Sequence, residues 1–218
     1  MNAPAVVPRV PRFSMLVAVV LIALATATSV RAQVWNEVGD AGDLTGTAQS
    51  TIGLGPLATI NGALASANDV DLYCIKIPNV PPAGGLLVGL QCVAIQGPGV
   101  WLFDANGNGV FATSTCALGY KAILAPSISL APGTYYVAVA YSGVDPYSSG
   151  GAIWVPAFVP QRTPDGPGWA FPLASWIGTG SVQPINPYTI TLQYVEYCDS
   201  VTPTVGQTWG SLKLRYGN

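Results

Sequence analysis

Asp69 and Asp71 stand one residue apart in Asn68-Asp69-Val70-Asp71, at the mouth of an alternating apolar segment. With the Asn68 amide they offer several oxygens from one turn. Hard cations such as calcium take about six to eight oxygens from carboxylates, amides and carbonyls. Glu37, Asp40 and Asp43 join this set if the polar stretch before the turn folds back over it. The candidate calcium ligands are therefore Asn68, Asp69, Asp71 and Glu37. The alternative is structural: Asp and Asn side chains in turns accept backbone N–H groups and cap the next strand.

A second oxygen-rich run is Asp104-Ala105-Asn106-Gly107-Asn108-Gly109. It imitates the start of an EF-hand loop, but the twelfth position is Thr115 rather than Glu, and strand-like segments flank it. A plain hairpin turn is the better reading, because Asn and Gly tolerate the positive φ such turns require. Aromatic residues suggest a third chemistry. Trp154, Trp169 and Trp176, with Tyr141 and Tyr147 beside them, lie in or next to a Gly/Pro-rich stretch. Exposed, they would stack on sugar rings. The plainer reading, which weighs more, is that they fill the edges of a core, since Trp buries a large area.

Other chemistries are poorly supplied. The chain has no histidine, which removes Ser-His-Asp and Cys-His catalysis. It has no nucleophile elbow, phosphate loop or dinucleotide fingerprint. Glu37 and Glu196 are the only glutamates. No enzyme is expected.

The N-terminus reads as a cleaved signal peptide over residues 1–32. Arg9 and Arg12 form a basic start, Met15 to Thr28 is almost wholly apolar, and Val30-Arg31-Ala32 suits a signal peptidase. The chain is then secreted or held at the cell surface, with no membrane attachment after cleavage. The formal charge of the whole chain is −2. The excised part carries Arg9, Arg12 and Arg31 and no acid, so the remainder is more acidic still. Such a surface offers nothing to nucleic acid. Four cysteines in an exported chain imply two disulfides, with three possible pairings. The pairing chosen is Cys92–Cys116, across the hairpin, and Cys74–Cys198, between an inner and a closing strand.

The elements that must position these residues are short strands. Thr59 to Leu64, Leu72 to Ile77, Leu86 to Ile95, Val100 to Phe103, Val110 to Thr115, Ser127 to Leu130, Thr134 to Ala140 and Tyr188 to Val195 each carry apolar or alternating patterns between turn signals. Tyr73, Ile75 and Ile77 share one face, with Leu72, Cys74 and Lys76 on the other. Residues 35–55 read as an extended lead-in. Residues 141–182, with a short strand candidate at Ala152 to Val155, are long for a loop in a compact domain. No helix and no repeat is expected. The reading is an all-β, jelly-roll-like antiparallel β-sandwich of about eight strands over residues 33–198, followed by a tail, 199–218.

Three segments in order carry a family resemblance: Asn68 to Tyr73, Leu102 to Gly109, and Ser129-Leu130-Ala131-Pro132-Gly133-Thr134-Tyr135-Tyr136. With Gly166-Pro167-Gly168, Trp176 to Gly180 and Tyr188 to Leu192, the series resembles the bacterial pre-peptidase C-terminal (PPC-like) domains, in the variant of secreted planctomycete proteins. The resemblance implies a jelly-roll-like sandwich without catalytic machinery that accompanies secreted enzymes or surface proteins. Some relatives bind calcium or extracellular polymers. The chain departs from that pattern in having four cysteines, and Ala112 to Cys116 where an acidic patch often follows the hairpin. Its ending, Gln207 to Tyr216, also resembles short Trp-Gly tails of exported proteins, as a tag or as a packed strand. The expected function is a non-catalytic interaction module, with calcium as its candidate stabilising ion, whose partner is an extracellular protein or polysaccharide. The alternative is a carbohydrate-binding module using the aromatics of 141–182.

Overall fold

The computed structural model describes residues 33–82, 85, 87–91, 98–113, 121–124, 129–155, 161–180 and 186–200. The segment expected to be a signal peptide, the Cys92–Cys116 pair and the tail beyond Ser200 lie outside them. The chain divides into two units, Met1–Arg31 and Ala32–Asn218.

The described residues hold strands and no helix. In chain order they are β1 (Gln33–Asn36), β2 (Gln49–Ser50), β3 (Ile52–Gly53), β4 (Leu57–Leu64), β5 (Val70–Ile77), β6 (Leu87–Gln91), β7 (Gly99–Asp104), β8 (Gly109–Thr113), β9 (Lys121–Leu124), β10 (Gly133–Ala140), β11 (Val144–Ser148), β12 (Gly151–Ala152), β13 (Leu173–Gly178), β14 (Asn186–Gln193), β15 (Glu196–Tyr197) and β16 (Asp199–Ser200). One sheet runs β1-β4-β14-β6-β9. A second runs β15-β5-β10-β7-β8, with β2 also on β5. A third, β12-β11-β13, comes from the long excursion, and β3 pairs with β16.

Strand alternation explains why these layers stack. In β5, β7 and β10, Tyr73, Ile75, Ile77, Val100, Leu102, Val137 and Val139 point one way. They meet Leu57, Ile60, Leu64, Val88, Leu90, Ile190 and Leu192 of the first sheet in one buried cluster. That is the sandwich core. Leu72, Trp101, Phe103, Ala138 and Ala140 point the other way, and Val144, Ile153, Trp154 and Leu173 of the excursion cover them. Ala138 lies opposite Trp101 in the ladder and Ala140 opposite Gly99. Small residues beside a large ring leave the indole room. The middle sheet is thus buried on both faces, so its strands read as almost continuously apolar.

Two expectations need correction. The sandwich is mixed rather than antiparallel: β1 runs parallel to β4, β2 to β5, and β16 to β3. All three parallel pairs use segments from the lead-in or the chain's end. These return to the sheets only after long connections, and parallel pairing requires a long crossover. The excursion 141–182 holds more strand than its one candidate, Ala152 to Val155: Val144–Ser148, Gly151–Ala152 and Leu173–Gly178 form a third sheet, because the back of β5, β7 and β10 is too apolar to face water. Of the expected Ser127 to Leu130 strand, Ser129 and Leu130 are described and are not in a strand.

Candidate functional site

Asp71 has the same parity as Tyr73, Ile75 and Ile77, so alternation aims it into the sandwich with them. Its neighbour in the ladder is Val139 of β10. It is 0% exposed. A carboxylate there is costly unless it is partnered. The partner comes from the opposite sheet: Tyr188 of β14 donates its hydroxyl to Asp71 Oδ2 at 2.5 Å. The hydroxyls of Tyr188 and Tyr73 are 2.7 Å apart. Tyr188 faces Gly62 of β4 across the first sheet. A Cβ at Gly62 would strike both tyrosine hydroxyls, so only glycine leaves this pair its space. Asp71 Oδ1 makes no hydrogen bond.

The lead-in brings two more carboxylates. β1 lies along β4 with Asn36 opposite Asn61, and Glu37 N–H continues the pairing to Asn61 O at 2.9 Å. Glu37 is then pinned by its own side chain: Oε2 accepts Ala63 N–H at 2.8 Å, and Oε1 accepts Ala41 N–H at 3.2 Å. Next the chain turns through Gly39 and Gly42, both at positive φ. Asp40 Oδ1 accepts Gly42 N–H at 3.1 Å, and Gly42 O accepts Leu72 N–H at 2.9 Å, which docks the turn on β5. One carboxylate oxygen each of Glu37, Asp40 and Asp71 consequently lies within 4.8 Å of the others. Among the described residues, none of the three joins an ion pair. Burial, then the negative charges of Glu37 and Asp69, push the Asp71 carboxyl up to about 8, while the Tyr188 hydrogen bond acts the other way. Burial first, with Asp71 adding, also raises the Tyr73 hydroxyl. In Tyr188 burial leads again, followed by Tyr73 and Asp71. Both phenols stay protonated donors.

Three oxygen donors of this kind, one of them with a free oxygen inside the protein, could hold a hard cation. The expected ligands Glu37 and Asp71 meet there, joined by Asp40. Asp69 and Asn68 do not: Asp69 Oδ2 accepts Ala65 N–H, and Asn68 is exposed with its N–H on Ser66 Oγ at 3.3 Å. These two serve the turn. Asp43 is engaged through its main-chain oxygen, which accepts Trp176 Nε1 at 2.7 Å. Tyr73, Tyr188 and Gly62 belong to the site but carry no sequence signal beyond strand parity. Asp104 closes its hairpin: Oδ1 accepts the N–H groups of Asn106 and Asn108 at 2.8 and 2.9 Å.

The three tryptophans have separate fates. Trp154 is 2% exposed and packs edge-on to Phe103, ring centroids 5.7 Å apart. Trp176 is half-buried, edge-on to Trp101 at 5.3 Å and to Phe103 at 6.2 Å. Trp169 is 60% exposed. Only the last presents an open ring face. Cys74 and Cys198 form a disulfide, Cα atoms 5.5 Å apart. Thr51 Oγ1 sits between them, donating to Cys74 O at 2.8 Å and accepting Cys198 N–H at 3.0 Å.

No family model matches the chain. No curated protein matches it either. Among solved structures, it is similar to the pre-peptidase C-terminal domain of a collagenase from Bacillus anthracis, at 12% identity and a TM-score of 0.35, over 76% of this chain and 100% of that one.

Proposed function

We propose that this protein is a secreted, non-catalytic β-sandwich interaction module of the PPC-like kind, stabilised by calcium at Glu37, Asp40 and Asp71. The observation that carries the reading is the convergence of Glu37 and Asp40 on the buried Asp71, which has an unused oxygen. Carboxylates crowded together repel unless a proton or a cation lies between them. A calcium ion there would draw on all three side chains and tie the lead-in to β5. A non-catalytic role is supported by the absence of histidine from the sequence. Export is supported by the signal-like residues 1–32 and by the Cys74–Cys198 disulfide, which is consistent with an oxidising, extracytoplasmic compartment. Calorimetric titration with calcium is the test. Saturable binding that Asp71→Asn removes is expected, and absence of heat with the wild-type chain refutes the reading.

The partner we propose is an extracellular protein or polysaccharide. A polysaccharide is favoured by one observation, the open ring of Trp169. Quenching of tryptophan fluorescence by a soluble polysaccharide, lost in Trp169→Ala, tests it. Equal quenching in the variant removes Trp169 from the site.

A further inference from the structure

Asp71 is held at one oxygen and open at the other. Oδ2 is taken by the Tyr188 hydroxyl at 2.5 Å, and Oδ1 has no hydrogen bond. Tyr188 has one proton to give. While it donates to an ionised Asp71, the hydrogen bond between the tyrosines runs from Tyr73 to Tyr188, 2.7 Å apart. The relay therefore has one direction: Tyr73, Tyr188, Asp71 Oδ2. It spans both sheets, from β5 to β14 and back, and Gly62 supplies the space for it. Its effect is to fix the rotation of a carboxylate that would otherwise turn about its bond, leaving Oδ1 as the oxygen without a hydrogen bond. A donor behind a ligating carboxylate orients it, and losing such a partner typically weakens metal affinity roughly 10- to 100-fold.

We propose that Tyr188, backed by Tyr73, is a positioning residue of the cation site: it holds Asp71 by Oδ2 so that Oδ1 is presented to the ion. The inference rests on the calcium reading above. A purely structural tyrosine bridge is the competing account, and it differs in what it moves. It would lower stability equally with and without calcium and leave affinity alone.

The test is calcium titration by calorimetry of the full-length chain and of the Tyr188→Phe, Tyr73→Phe and Asp71→Asn variants at one pH, with melting curves in calcium and in chelator. The expected result is affinity lowered roughly 10- to 100-fold in Tyr188→Phe, lowered less in Tyr73→Phe, and abolished in Asp71→Asn. The calcium-induced rise in melting temperature should shrink in the same order. Wild-type affinity in Tyr188→Phe, with equal destabilisation in both conditions, overturns the proposal and leaves the calcium site standing. No binding by the wild-type chain overturns both. Should Tyr188→Phe not fold, Tyr73→Phe decides: reduced affinity supports the relay, and unchanged affinity overturns it.

Discussion

The hydroxyl of Tyr188, on one sheet, reaches across the sandwich to the carboxylate of Asp71 on the other. Most of that interior is held by apolar contact, so this polar link is specific where the rest is not. Its removal leaves a fully buried acceptor unpaired, which costs about 1–3 kcal/mol. Tyr188→Phe is expected to lower unfolding free energy by that amount in chelator, measured by urea titration. Gly62→Ala should be comparably harmful, about 1–3 kcal/mol, because the added methyl meets both tyrosine hydroxyls in a packed core. A neutral Gly62→Ala would contradict the packing described.

The raised Asp71 carboxyl gives stability a pH dependence with a definite sign. The folded chain keeps its proton up to about 8, and the unfolded chain releases it near 3.8. Stability from this group is full below the unfolded value and is lost as pH rises through the folded one. Without metal the slope reaches about −1.4 kcal/mol per pH unit in between. Under the proposed calcium reading the ion takes the ionised carboxylate, so its stabilising effect should grow over the same window. Denaturant titrations in chelator across that window should show the decline in the wild-type chain and not in Asp71→Asn. Parallel curves for the two would assign the slope to other groups.

Strand parity put Tyr73, Ile75 and Ile77 in the core from sequence alone, and the same parity places Asp71 among them. Glu37 was also legible as a candidate, because a polar lead-in that folds back brings it near the turn. Which aspartate turns inward was not. Asn68 and Asp69 look equivalent to Asp71 as oxygen donors, yet β5 begins only at Val70, so Asp69, though of the same parity, stays in the turn, bonded to Ala65 N–H. Tyr188 and Gly62 could not be found either, since they reach the site through a sheet register set more than a hundred residues away. The third sheet was hidden for a related reason. Val144 to Ser148 is interrupted by Pro146 and Leu173 to Gly178 ends on glycine, and both form strands because the apolar back of the middle sheet needs cover.

The disulfide joins Cys74 on β5 to Cys198 at the end of the described fold, 124 residues apart in sequence. Closing so long a loop restricts the unfolded chain, and losing it typically costs about 2–5 kcal/mol. Replacing both cysteines by serine should lower the urea midpoint accordingly. An unchanged midpoint would mean that Thr51 and the β16–β3 pairing hold this end alone.

Trp154 and Trp169 should separate cleanly. Trp154→Ala empties a buried site against Phe103 and should cost about 3–5 kcal/mol. Trp169→Ala removes an exposed ring, so its effect on stability should stay within about 0.5 kcal/mol. Equal losses would show that Trp169 is covered in solution.

The claim on which the account turns is that Glu37, Asp40 and Asp71 hold a calcium ion. The most direct measurement is the thermal unfolding midpoint of the wild-type chain in calcium and in chelator, above the pH at which Asp71 ionises. At calcium about 100 times the dissociation constant, linkage predicts about 2.7 kcal/mol of stabilisation, seen as a midpoint about 5–11 °C higher by the usual entropy scaling and absent in Asp71→Asn. Identical midpoints in calcium and chelator would contradict the calcium site.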